Sequence, residues 1–342
     1  MTCPSCGEPV GAKDRFCEGC GASLLVTRTP KDGPVAAPGG GPCVGCGGGN
    51  LGADGFCEDC GRAQPGGRDR MESDLKLVAG ISDKGRRRAR NEDSMAFGVV
   101  SGETPAVVAV VCDGVATSDR ADNASQLAVD EAADVLLDAA VEGKDAEGAT
   151  RAAVARAVEV VAGLADPSVP GTAPSCTFVS AVVTPTEVTV GWVGDSRVYW
   201  LAAADAPTPP RRLTVDDTVA AELVAEGMSE EDAMAMHQAH ALSKWIGADA
   251  GDIEPRTLTI TPEGPGLVLL CSDGLWNYLP DPQVLVDALP GDDPPAEVDL
   301  LPAASELTRI ALDFGGHDNI TTVLVPFPPN PSEPPEPSGG QP

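Results

Sequence analysis

At 342 residues with 42% apolar side chains, the chain can bury a full core beside smaller modules. Its 52 acidic and 23 basic residues leave a formal charge of −29. That charge argues against nucleic acid and anionic lipid, since both are bound by neutralising phosphates with cations. The apolar runs are strand-sized, short of the ~20 residues of a membrane span, and MTCPSCGEPV lacks the basic start and apolar stretch of a signal peptide. The expected compartment is the cytoplasm.

The first elements along the chain are two cysteine modules. Cys3, Cys6, Cys17 and Cys20 form one set, and Cys43, Cys46, Cys57 and Cys60 repeat it 40 residues later. Both read C-x2-C-x10-C-x2-C, and Phe16-Cys17-Glu18 recurs as Phe56-Cys57-Glu58. Paired knuckles of this spacing predict two four-cysteine structural Zn²⁺ sites. A disulfide framework is the alternative, but it needs an oxidising compartment. The modules are too short for a hydrophobic core, so metal must supply their folding energy. The expected layout is ribbon 1 over 1–21, a linker over 22–42, ribbon 2 over 43–62 and a second linker over 63–73. A large domain follows over 74–326, then a disordered Pro-rich tail over 327–342.

In the large domain LKLVAGIS, SMAFGVV, AVVAVVC, TFVSAVV, EVTVGWVG, RVYWLA, TLTI, GLVLLC and ITTVLV read as strands. Helical patterns fall at 122–141, 147–163, 216–226, 229–240 and 303–313. Strands arrive in pairs and triplets rather than alternating with helices. The expected class is therefore α+β, with antiparallel sheets covered by helices. Cys112, Cys176 and Cys271 lie in or beside apolar runs and read as core. His237 and His240 fall on a predicted surface helix, and Met228, Met234 and Met236 read as packing before recognition.

Four acidic positions carry the chemistry: Asp93 in RRARNED, Asp113 in VVCDG, Asp273 in LLCSDG and Asp318 in GGHDN. A carboxylate at the end of a buried strand must be paired or bind a cation. Any one Asp before Gly is ordinary turn chemistry; the set together predicts an oxygen-rich site for hard divalent metals. Asp195, in GDSR, reads as a structural turn residue, and the run Arg86, Arg87, Arg88, Arg90 beside NED as a phosphate or substrate contact.

Taken in order, Arg88-x-x-Asn91-Glu92-Asp93, Asp113-Gly114, Gly194-Asp195-Ser196-Arg197, Leu213-Thr214-x-Asp216-Asp217-Thr218, Leu242-Ser243-Lys244-Trp245-Ile246-Gly247, Ser272-Asp273-Gly274-Leu275-Trp276 and Gly315-Gly316-His317-Asp318-Asn319 resemble the PP2C-type (PPM) metal-dependent serine/threonine protein phosphatases. The resemblance spans about 74–326. It implies a PP2C-like four-layer αββα fold, an antiparallel β-sandwich flanked by helices. It also implies two Mn²⁺ or Mg²⁺ ions, with Asp113 bridging, the Gly114 carbonyl, Asp273 and Asp318 on one ion, and Glu92 and Asp93 serving the other. Arg88 would grip substrate phosphate. The implied reaction is direct hydrolysis of phosphoserine and phosphothreonine by a hydroxide held between the metals. Implied partners are phosphorylated proteins of a Ser/Thr kinase system, with a protein partner for the ribbons. A pseudophosphatase that only binds phosphoproteins is the alternative.

The chain departs from the family pattern where Asp113-Gly114-Val115-Ala116-Thr117 replaces Asp-Gly-x-Gly-Gly. Val115 stands where some members carry a proton-donating His. A third, weaker metal has no clear aspartate, Asp166 being the nearest candidate.

Overall fold

A computed structural model of the chain describes residues 6–11, 14, 16–21, 23–31, 48–50, 57–60, 67–102, 105–166, 168, 173–203, 205–291 and 293–329. In chain order the strands are β1 (Val26–Arg28), β2 (Arg70–Asp74), β3 (Ala79–Asp83), β4 (Ser94–Val100), β5 (Ala106–Cys112), β6 (Ser175–Cys176), β7 (Phe178–Val183), β8 (Val188–Val193), β9 (Arg197–Leu201), β10 (Arg211–Arg212), β11 (Ile246–Gly247), β12 (Arg256–Ile260), β13 (Gly266–Cys271) and β14 (Ile320–Phe327). The helices are α1 (Ala121–Val141), α2 (Ala146–Ala162), α3 (Val219–Ala225), α4 (Glu230–Met234), α5 (Asp273–Trp276), α6 (Pro282–Asp287) and α7 (Leu300–Asp313).

Two six-stranded antiparallel sheets form, ordered β1-β4-β5-β7-β8-β12 and β10-β9-β13-β14-β3-β2, with β6 and β11 paired separately. The run AVVAVVC explains the layering. Val107, Ala109 and Val111 point between the sheets, against Phe97, Trp200 and Val323. Ala106, Val108, Val110 and Cys112 point the other way, onto α1 and α2. A strand buried on both faces reads as an unbroken apolar run. The alanine-rich inner faces of α1 and α2 let those helices lie close to the sheet. On the opposite side Leu269, Cys271 and Leu324 pack under Leu300, Ala304 and Leu307 of α7. The antiparallel sheets flanked by helices expected from the sequence are present.

Several boundaries differ from expectation. The segment expected as the first linker carries β1, which pairs with β4 in the register Val26↔Val100. Its Pro- and Gly-rich average concealed the short run Leu24-Leu25-Val26-Thr27. Arg28 bonds to Asp130 and Asp134 of α1, and Lys31 reaches Asp134 and Glu131. The second linker also enters the fold, because Arg70–Asp74 pairs with β3. LKLVAGIS is not one strand: Lys76 takes a positive φ of 72° and Leu75 N–H donates to the Val78 carbonyl, closing a hairpin. Over 229–240 only Glu230–Met234 is helical, so His237 and His240 lie on turns. The strand before the tail runs through Phe327, which is buried against Trp200 with ring centroids 5.6 Å apart. Met228, Met234 and Met236 are 37%, 48% and 51% exposed rather than packed. Residues 330–342 lie outside the described residues.

Candidate metal centre and active site

Strand register gathers the acidic positions at one end of the sandwich. Ser94 lies opposite Cys112, so Asp93, before β4, and Asp113, after β5, emerge side by side. Cys271 lies opposite both Thr322 and Arg197, which brings Asp273, Asp318 and Asp195 to the same end of the second sheet. Glycines let these loops approach. A Cβ on Gly274 would sit 1.8 Å from the Asn319 carbonyl oxygen, one on Gly85 2.0 Å from that of Asp318, and one on Gly114 2.7 Å from that of Glu92. Real Cβ atoms do not tolerate such distances, so at these three points backbone must pass against backbone.

The side chains are held from behind. Asp93 is fully buried, and its Oδ2 accepts from Ser272 Oγ and Thr321 Oγ1, both at 2.7 Å. Asn319 receives the Glu92 N–H on its Oδ1 (2.8 Å), and its Nδ2 donates to the carbonyls of Lys84 and Arg90 (2.8 and 3.0 Å). Asp113 N–H donates to Thr177 Oγ1 (3.0 Å), which pairs with Ser196 Oγ. Arg88 Nη2 donates to Asp318 Oδ2 at 2.5 Å.

Burial first, and neighbouring carboxylates second, push the Asp113 and Asp273 carboxyls far above the ordinary aspartate range. The same burial lifts Asp93 to about 6, against the opposing pull of its two hydroxyl donors. Asp195 rises to about 7 through burial and then Asp216. Burial also raises Glu92. The Asp113 and Asp273 residues are half-buried and keep partial solvent access. Asp93 Oδ1 and Asp273 Oδ1 are buried with no hydrogen-bond partner. Buried acceptors without donors, crowded by like charge, require protons or cations. An all-oxygen donor set fits Mg²⁺ or Mn²⁺.

Among the described residues, the only trio of His, Cys, Asp or Glu with ligand atoms all within 4.8 Å of one another is Cys6, Cys17 and Cys20. Asp113, Asp273 and Asp318 are set wider than that. They remain electrostatically coupled to one another, and Arg88 feels all three. A site for two ions ~3.5–4 Å apart spreads its ligands more than a single-ion site does.

Some sequence readings are corrected here. Asp195 does terminate a turn, its carbonyl accepting from Trp276 Nε1 (2.9 Å), but its carboxyl also belongs to the acidic cluster and raises Asp113 and Asp273. Asp166 does not join the cluster: its Oδ1 accepts from Ser168 N and Oγ. Within the basic run Arg88 bonds a ligand candidate directly, and Arg90 acts on Glu92 through its charge. Arg86 pairs with Asp313, and Arg90 faces Asp122 at 3.9 Å. His317 is engaged by Tyr278, Oη to Nδ1 at 2.9 Å. Ser272, Asn319, Thr321 and Thr177 belong to the quoted motifs or to the Ser175-Cys176-Thr177 approach, but their part in holding the acidic side chains shows only in the structure. Burial pushes the Cys112 and Cys271 thiols well up, which suits core residues and not nucleophiles.

In the first ribbon the sulfurs of Cys6 and Cys17 lie 3.5 Å apart. Gly7 and Gly21, each following a knuckle cysteine, take positive φ of 77° and 74°. Gly21 N–H donates to the Cys17 carbonyl, closing the knuckle turn at 2.8 Å. Cys57 is buried and Cys60 exposed; Cys3, Cys43 and Cys46 lie outside the described residues.

Comparison with known proteins decides the family. The family pattern described as Protein phosphatase 2C matches residues 84–291. The chain belongs to the protein phosphatase 2C family. A second pattern, Double zinc ribbon, matches residues 3–61. Serine/threonine phosphatase stp of Listeria welshimeri serovar 6b is 29% identical over 247 residues, covering 71% of this chain and 93% of that one. The catalytic domain of the serine/threonine protein phosphatase PstP, solved with two manganese ions, aligns at 26% identity and TM-score 0.56 over 73% of this chain and 97% of its own. Stp1 from Staphylococcus aureus, at 24% identity and TM-score 0.59 over 74% of this chain and 95% of its own, shares the fold. No helix among the described residues is long and apolar enough to cross a membrane.

Proposed function

We propose that this protein phosphatase 2C member is a metal-dependent protein serine/threonine phosphatase. The observation that carries the reading is the half-buried, mutually repelling carboxylate cluster beside Arg88, in which Asp93 Oδ1 and Asp273 Oδ1 are buried without a partner. Asp113, the Gly114 carbonyl, Asp273 and Asp318 would hold one cation, and Glu92 with Asp93 would serve the second. When bound, such a pair lowers the pKa of water, clamps phosphoryl oxygens and neutralises developing charge.

The chain's own residues supply the rest. Arg88 gives one N–H to Asp318, and the remaining donors of its planar fork suit two phosphate oxygens. Ser272 and Thr321 fix the Asp93 carboxyl through Oδ2 and leave its second oxygen without a hydrogen-bond donor. Val115 offers no proton and His317 is tied to Tyr278, so the leaving alkoxide takes its proton from water in the cleft. Substrates are phosphoserine- and phosphothreonine-containing proteins of a Ser/Thr kinase system, and the compartment is the cytoplasm. The eight paired cysteines hold two structural Zn²⁺ ions, and the ribbons bind a protein rather than nucleic acid, in line with the −29 charge.

Phosphate release from a phosphothreonine peptide tests the reading. Turnover is expected with Mn²⁺, and little with chelator or with Asp273→Asn. A folded protein that binds the peptide without Mn²⁺-dependent turnover would refute it. Elemental analysis is expected to find two zinc ions per chain after purification without chelator; a single zinc would remove one ribbon site.

A further inference from the structure

Between the end of the zinc-ribbon match at residue 61 and the start of the phosphatase match at residue 84 lies Arg68. It stands in a 3-10 turn, Gly67–Asp69, within the stretch expected as a linker. Its guanidinium nevertheless enters the protein. Nη2 donates to the Asp93 carbonyl (3.0 Å) and to Ser94 Oγ (2.8 Å), and Nη1 donates to Gln126 Oε1 (2.6 Å). Its own carbonyl accepts from Asn91 Nδ2 at 3.0 Å. One residue thus grips both ends of Asn91–Ser94, the loop that carries Glu92 and Asp93.

The grip extends further in two directions. Ser94 Oγ pairs with Ser125 Oγ (2.9 Å), which donates to the Glu92 carbonyl (2.5 Å). Asn91 Oδ1 accepts the Asp93 N–H at 3.3 Å. In the other direction Gln126 Nε2 donates to Asp130 Oδ2 (2.8 Å), whose Oδ1 accepts from Arg28 Nη2 (3.0 Å). Arg28 belongs to β1, which closely follows the first ribbon. A continuous polar chain therefore runs from Arg28 through Asp130, Gln126 and Arg68 to the backbone of Asp93. Arg68 Nε is buried without a partner. Leaving a buried donor unmet costs free energy, so the placement of this guanidinium is a sacrifice in stability that its other bonds must offset.

We propose that Arg68 is a positioning residue for the metal site: the segment joining the zinc ribbons to the phosphatase domain sets the Asn91–Ser94 loop, and with it the affinity of the Glu92 and Asp93 side for a divalent cation. This rests on the metal-dependent reading given above. Residues behind metal ligands commonly tune affinity by ten- to a hundredfold.

The experiment is a Mn²⁺ titration of the metal-free full chain, followed by the paramagnetic resonance signal of free Mn²⁺, for wild type, Arg68→Ala, Arg68→Lys and Arg156→Ala. Arg156 bonds Glu131 and Glu159, away from the loop. Arg68→Ala is expected to weaken Mn²⁺ binding by about tenfold, Arg68→Lys to recover part of it, and Arg156→Ala to match wild type. Initial phosphate-release rates against Mn²⁺ should shift by the same factor while the rate at saturating Mn²⁺ stays near that of wild type. Wild-type affinity in folded Arg68→Ala, or equal weakening in Arg156→Ala, would overturn the proposal. If Arg68→Ala does not fold, wild-type affinity in Arg68→Gln would do so instead. Wild-type protein that binds Mn²⁺ but releases no phosphate would count against the enzymatic reading and leave the positioning result standing on the titration.

Discussion

Asp113→Asn is expected to lower metal-dependent phosphate release by about a thousandfold or more, equivalent to at least ~4 kcal/mol of transition-state stabilisation. The same substitution is expected to raise the thermal midpoint of the metal-free protein. The two effects have one cause. The Asp113 carboxyl is half-buried and repelled by Asp93, Asp273, Asp195 and Asp318, so in the absence of a cation its charged form is disfavoured. An amide removes that repulsion at nearly constant volume, and relief of a poorly compensated buried charge is worth on the order of 1 kcal/mol or more. With Mn²⁺ present the order should reverse, because only wild type gains the binding free energy. Differential scanning of both proteins with chelator and with Mn²⁺ reads all four values. A substitution that costs activity and also destabilises the metal-free protein would point to a structural aspartate instead.

Gly274→Ala is expected to produce the closest backbone overlap of any alanine substitution among the described glycines. The added carbon would fall 1.8 Å from the Asn319 carbonyl oxygen and 2.8 Å from its carbonyl carbon. Both neighbours are backbone, so no side chain can swing aside. Either the turn that opens α5 or the Asp318–Asn319 segment must move. Asn319 also ties together Lys84, Arg90 and Glu92, so the displacement spreads to the segment that carries Arg88, Glu92 and Asp93. We expect a loss of about 1–3 kcal/mol in stability from the overlap, and Mn²⁺ affinity reduced by at least about tenfold because two ligand segments separate. Gly49→Ala, where nothing lies within 4 Å, should leave both unchanged. Urea unfolding and Mn²⁺ titration on the two variants provide the check; an unchanged midpoint for Gly274→Ala would mean the loops are not held in van der Waals contact.

The motif residues were legible because each obeys a local rule that survives folding. Asp113 and Asp273 close apolar runs that became β5 and β13, and the glycines beside them stand where backbone crosses backbone. The helices α1 and α2 were legible to within a residue, since Ala- and Val-rich periodicity over 21 and 17 residues has few other readings. What escaped was decided by partners distant in sequence. Val26–Arg28 is too short to read as a strand until β4 offers its edge. Arg68 falls in the stretch expected as the second linker, and only its bonds to residues 25 to 58 positions away reveal its place. Asp195 looked like turn chemistry, which it also performs. The registers Cys271↔Arg197 and Ser94↔Cys112, which place the acidic residues at one end, cannot be computed from any single segment.

The pairing of β1 with β4 also bears on how the catalytic part can be studied alone. A fragment trimmed at residue 74 would shed β1 and the Arg28 anchor, baring the outer backbone of Gly98–Val100 along with Val99 and Val100. An uncovered, flat, apolar margin is a template for another chain. Such a truncation would therefore be prone to self-association, and fragments intended to remain monomeric need to retain the chain from about residue 23 onward.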